Sequence, residues 1–107
     1  MTHSLDATEA RNAEGAVAPR VTLDSMKERI ARVDYLRHGL TTICFVTMVN
    51  GFKVIGHSTP ASPSNFDASK GEANAYENAI RQLWQLEGYL LCERLTNEIF
   101  ARATEIV

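Results

Sequence analysis

Val49-Asn50-Gly51-Phe52-Lys53-Val54-Ile55-Gly56-His57-Ser58 is the stretch whose reading decides the fold. Asn-Gly between two apolar, β-branched runs is the strongest short-range signal for a β-hairpin. On its N-terminal side, Leu40 to Val49 is rich in Thr, Ile, Val and Phe, which favour strands. On its C-terminal side, Phe52 to Ser58 returns as the second strand. With a two-residue loop, Val49 faces Phe52, Thr47 faces Val54 and Phe45 faces Gly56. The opposite face then carries Cys44, Val46 and Met48 against Lys53, Ile55 and His57. Both faces are substantially apolar, and a lone two-stranded hairpin is marginal in water. Either the region around Tyr35 adds a strand and helices cover both sides, or a second subunit supplies the cover. We favour a homo-oligomer.

Working outward, Thr22 is a candidate N-cap, and Asp24 places negative charge in a first helical turn. Leu23, Met26, Ile30 and Val33 recur at helical spacing, which predicts a first helix from about Leu23 to Val33. Asp34 to Gly39 is ambiguous between helix and strand. Beyond the hairpin, Thr59-Pro60-Ala61-Ser62-Pro63-Ser64 is a loop by composition. Asp67 or Ser69 can cap a second, long helix from about Ala68 to Ala103, whose apolar stripe includes Tyr76, Ala79, Ile80, Leu83, Trp84, Leu91 and Leu95. Gly88 interrupts that stripe at a penalty of about 1 kcal/mol relative to Ala. Its expected use is a bend or close approach of another backbone. Residues 1–19 show no apolar period and read as a flexible arm. The predicted architecture is one α+β domain over 20–107: a short N-terminal helix, a small antiparallel hairpin sheet and a long C-terminal helix.

Composition narrows the function. The chain has 107 residues, 45% hydrophobic and 22% charged, with a net charge of −2. These are values of an ordinary globular domain. Long DNA or RNA is disfavoured as a partner, because neutralising phosphates needs clustered Lys and Arg. A small anionic ligand remains open, since a few local arginines suffice. Cys44 and Cys92 form no metal spacing and read as buried small hydrophobes. His3, His38 and His57 are too dispersed for a metal motif. No cofactor is expected. No run approaches the roughly 20 apolar residues of a membrane span, and no signal peptide is visible. The expected location is the cytoplasm.

The chain carries no Walker loop, GxSxG, GxGxxG or HExxH. Ser58, His57 and Asp67 are the residue types of a hydrolytic triad, without an elbow or oxyanion-hole signature. No enzymatic activity is expected. Asn65-Phe66-Asp67 stands at the loop-to-helix junction. There Phe66 could stack on a base while its neighbours bond it and free helix N–H groups meet a phosphate. The competing reading, in which Phe66 plugs the core and Asp67 caps the helix, is favoured on spacing alone. Asn78, mid-helix, either bonds the loop or faces a ligand. Arg20, Arg81 and Arg94 are candidates for anion contact, because a guanidinium grips phosphate bidentately.

Asn50-Gly51-Phe52, Gly56-His57-Ser58, Asn65-Phe66-Asp67, Tyr76-Glu77-Asn78-Ala79 and Leu83-Trp84-Gln85-Leu86-Glu87-Gly88-Tyr89-Leu90-Leu91 together resemble a family of small phage and prophage proteins. That family is named for gene 49 of one tailed phage and gene 66 of another. The likeness runs from Arg20 to about Arg94. His57 and Thr59-Pro60 depart from it, standing where acidic or small residues are expected. The family is similar in fold to phage anti-defence proteins that antagonise Thoeris immunity. What this implies is a homo-oligomer in the bacterial host cytoplasm. It would sequester a cyclic ADP-ribose-like signal, or cyclic oligonucleotides, without cleaving it. Phe66 would then stack on adenine and Asn78 would bond the ligand. Arg20 and Arg94 would meet phosphates, with Asp67 and Arg81 as further contacts. The alternative is a phage protein that inhibits a host protein through an apolar surface.

Overall fold

The computed structural model describes Leu5 and residues 19–106. Within them lie a short helix α1 (Leu23–Glu28), strands β1 (Ile30–His38), β2 (Thr41–Met48) and β3 (Lys53–Ser58), a 3-10 turn (Pro63–Asn65) and a long helix α2 (Ala68–Ile106). The strands form one antiparallel sheet in the order β1-β2-β3. The architecture is α+β, as expected. Apart from Leu5 and Pro19, the expected arm over 1–19 lies outside the described residues. Leu5 itself is buried in the core.

The first helix is shorter than its periodicity predicts. Thr22 and Ser25 form a reciprocal capping box, and the helix stops at Glu28 with Arg29 as its C-cap. Ile30 and Val33 belong to β1, where a register shift falls between Ile30 and Arg32. That bulge puts an extra residue into β1. Ile30, opposite Met48, and Val33, opposite Val46, therefore share one face although three residues apart. The spacing that imitates a helix is thus a bulged strand. β1 also settles the ambiguous segment from Asp34, and a tight turn at Gly39, with φ +59°, leads into β2.

The hairpin exists, but its register is one residue away from the expectation. The Gly51 N–H donates to the Met48 carbonyl at 2.9 Å, and the Met48 N–H donates to the Phe52 carbonyl at 2.8 Å. The loop therefore holds Val49, Asn50 and Gly51, with Gly51 at φ +89°. This is a three-residue loop ending in a left-handed glycine. Phe45 faces Ile55, Val46 faces Val54 and Cys44 faces Gly56. A slip of one residue exchanges the faces of a strand. The buried face carries Thr42, Cys44, Val46, Met48 and Val54, and the other face carries Ile43, Phe45, Ile55 and Leu36.

α2 covers the buried face through Ala75, Ala79, Ile80 and Leu83, with Tyr76 and Trp84 packed alongside. Its approach to the sheet is set by Gly56. A Cβ there would lie 2.1 Å from the Ala75 carbonyl oxygen and 2.5 Å from the Ala79 nitrogen. Gly88, the expected site of close packing, has nothing but its chain neighbours and its own helix backbone within 4 Å of an added Cβ among the described residues. α2 spans 39 residues, about 58 Å at the usual helical rise. The longest strand has 9 residues, about 30 Å. The helix therefore outruns the sheet. Among the described residues no helix is long and apolar enough to cross a membrane.

Candidate functional site

Three residues in register, Arg37 on β1, Thr42 on β2 and Ser58 on β3, form a row on the helix-facing side of the sheet. The first turns of α2 cross above this row. Gly71 permits the crossing, since a Cβ there would stand 2.7 Å from Thr42 Oγ1. A recess opens at either end of the row. One, of about 180 Å³, is lined by Ser58, Thr59, Asn65, Phe66, Lys70 and Asn74 among others. The other, of about 320 Å³, is lined by Tyr35, Arg37, Thr42 and Glu72. Phe66 stands where the 3-10 turn passes into α2, and the Arg37 guanidinium lies 5.2 Å from its ring centroid.

Asp67 caps α2, its Oδ1 accepting from the Lys70 N–H at 3.1 Å. That matches the expected capping role and draws the carboxylate onto the helix end. Phe66 is half-buried, so it neither plugs the core nor stands free. Asn78 turns to the sheet. Its Oδ1 accepts from the His57 N–H at 3.1 Å, and one turn on, the Gln82 amide donates to the Ile55 carbonyl at 2.9 Å. Among the described residues β3 has only β2 as a strand neighbour. Asn78 and Gln82 therefore satisfy two outward backbone groups of an edge strand, which would otherwise invite another chain.

The structure does not gather the six expected ligand contacts into one pocket. Phe66 and Asp67 meet at the start of α2. Arg20 and Arg94 meet in a separate groove of about 340 Å³, together with Arg29, Glu28 and Glu87. There Arg29 Nε donates to Glu87 Oε1 at 2.9 Å. Arg81 pairs with Glu77 at 3.0 Å on the helix surface. Arg37, which the sequence reading passes over, is the arginine that reaches Phe66. Its signal is invisible until β1 is placed.

Ser58 and His57 do not assemble a triad. Successive strand residues point to opposite faces, so the two side chains diverge. Among the described residues no group of His, Cys, Asp and Glu could hold a metal. Burial pushes the Tyr35 phenol up to about 12, helped by the nearby Cys44 and Glu72. Burial likewise raises Tyr76 and the Cys44 thiol. Cys44 is buried, but Cys92 is exposed, against the expectation that both are core residues.

The fold is thus a small antiparallel sheet carrying one long helix, with an aromatic side chain at the helix entry. Residues 21–95 match the Phage protein (N4 Gp49/phage Sf6 gene 66) family, and the chain belongs to it. No curated protein and no solved structure matches the chain significantly.

Proposed function

We propose that this phage protein is an anti-defence protein that binds and sequesters a cyclic nucleotide-type immune signal. The ligand class is cyclic ADP-ribose-like, with cyclic oligonucleotides as the wider class, and the ligand is held without being cleaved. The supporting observation is the Phe66 ring on the wall of a recess rich in hydroxyl and amide groups, with Lys70 beside it. A half-buried aromatic ring can stack on a base, while Ser, Thr and Asn side chains can bond ribose and phosphate oxygens. The recess, about 180 Å³, is smaller than the roughly 300–1,000 Å³ of small-molecule pockets. A second copy closing over it is therefore part of the proposal, and the protein acts as a homo-oligomer in the host cytoplasm.

The test mixes purified protein with cyclic ADP-ribose, removes free ligand, and heats the protein to release what it holds. Recovery of intact ligand supports sequestration. Recovery of a hydrolysed product would show an enzyme, and no capture would refute both.

The second reading, inhibition of a host protein through an apolar surface, has its own observation. Val49, Phe52, Leu86 and Tyr89 are exposed. Phe52, Leu86 and Tyr89 also line a groove of about 250 Å³ beside the hairpin tip. Exposed apolar patches of this kind mark protein contacts. Failure to capture ligand, together with a host protein retained by wild type and released by Tyr89→Ala, would favour it.

A further inference from the structure

We infer that Arg37 is a specificity-determining residue of the ligand site: it backs the Phe66 ring from β1 and supplies the positive charge that meets a ligand phosphate. The inference rests on the sequestration reading and names a residue that reading does not contain. The guanidinium lies over the ring at 5.2 Å from its centroid. Such a contact fixes the orientation of both groups, and it occupies one ring face only. Phe66 lines the recess at the Ser58 end of the row and Arg37 the recess at the other end, so a base stacked on the second ring face and a phosphate at Arg37 would straddle the ring.

The charges around the site favour Arg37 for this role. Arg37 is exposed and forms no ion pair among the described residues. Of the nearby carboxylates, Asp34 pairs with Arg32 at 2.7 Å and Asp67 caps α2. Glu72 lines the same recess as Arg37 without bonding it. Arg20 and Arg94 lie in the other groove, and Arg81 is held by Glu77. Lys70 is a second cation at Phe66, but it is a point charge that cannot stack. Arg37 alone among these combines a planar face for the ring with donors free for an anion. The chemistry it selects is a planar base carrying a phosphate within a side-chain length.

The experiment titrates wild type, Arg37→Ala and Arg37→Lys with cyclic ADP-ribose, and with adenosine as the uncharged control. Far-ultraviolet dichroism and thermal melts confirm folding, and Arg37→Lys serves should Arg37→Ala melt early. The expected result is a loss of about tenfold or more in affinity for cyclic ADP-ribose in Arg37→Ala, the size of one charge-assisted contact. Arg37→Lys should lose less, keeping charge but not planarity. Adenosine binding should change less than cyclic ADP-ribose binding in both variants. Wild-type affinity for cyclic ADP-ribose in either variant, or equal losses for the two ligands, would overturn the inference and leave sequestration standing. A wild-type protein that binds neither ligand would overturn the sequestration reading itself, and Arg37 with it.

Discussion

Gly56→Ala should destabilise this protein strongly, although alanine is ordinarily the better strand residue. The substitution places a Cβ 2.1 Å from the Ala75 carbonyl oxygen, 2.5 Å from the Ala79 nitrogen and 2.9 Å from the Ala79 Cβ. Ordinary contact begins near 3.4 Å, so α2 must retreat by about 1 Å where it presses on β3. Two of the obstructing atoms are backbone, and no rotamer change moves them aside. Overpacking of a core is worth about 1–3 kcal/mol, and a backbone obstacle belongs at the upper end. Against this, Gly→Ala lowers the entropy of the unfolded chain and stabilises by about 0.4–1 kcal/mol where the site is open. The net loss is about 2 kcal/mol or more, from a domain whose whole stability is about 5–15 kcal/mol. For this size that corresponds to a fall in Tm of about 8–16 °C. Urea unfolding followed by dichroism at 222 nm reads the loss directly as a lower midpoint. An unchanged or higher midpoint would refute the close approach of α2 to β3 on which the packing account depends.

Gly88→Ala should act in the opposite direction, raising stability by about 1 kcal/mol, because the space beside Gly88 is open among the described residues; a lower urea midpoint would mean that something packs there. The two thiols should separate in reaction with a disulfide reagent under native conditions, exposed Cys92 reacting at once and buried Cys44 only on unfolding; two equally fast thiols would contradict the burial of Cys44. Stability should fall as pH rises from about 10 to about 12. Tyr35 keeps its proton to about 12 in the folded chain while the unfolded chain loses it near 10.0, so the folded state binds more protons in that window and is disfavoured by raising pH. Tyr35→Phe should flatten this decline in urea midpoints across that range, and an unchanged slope would refute the assignment. Leu5→Ala should lower stability by about 2–5 kcal/mol, the usual range for a fully buried leucine, since Leu5 is 2% exposed; a midpoint within error of wild type would remove Leu5 from the core.

The elements legible in the sequence are those with a long or unique signature. α2 could be read because its apolar stripe repeats for many turns, and the hairpin because Asn50-Gly51 has few other uses. β1 was hidden by its bulge, which gives a strand the three-residue spacing of a helix. The register was hidden because Asn-Gly fits both a two-residue and a three-residue loop; the choice rests on Met48 and Phe52 closing the hairpin. The glycines show the same limit. Gly56 and Gly88 are equivalent in sequence, and only the placement of Ala75 and Ala79 makes one of them indispensable. At the site, Phe66 could be found as an aromatic residue between polar neighbours at a helix entry. Arg37 could not, because its nearness to Phe66 depends on the strand that the bulge disguised. Asn78 was open between two roles, and an unpaired strand edge took it up.

The same contacts that hold the fold also fix the candidate site. α2 is seated on the sheet at two depths, Gly71 over Thr42 and Ala75–Ala79 over Gly56. The hydrogen bonds of Asn78 and Gln82 to β3 then prevent the helix from sliding along its edge. A helix pinned in this way carries its first turn as a rigid extension, and Phe66 enters that turn directly through the Asp67 cap. Pre-organisation of this kind lowers the entropy lost on binding, which suits a protein whose proposed task is retention and not turnover. Outside that seat lie the Thr59–Ser64 loop, whose Thr59 and Pro60 line the same recess as Phe66, and the exposed Arg37 side chain. Under the proposed function, differences in ligand choice within this fold should therefore arise at those two places, while changes beneath α2 should alter stability first and affinity as its consequence.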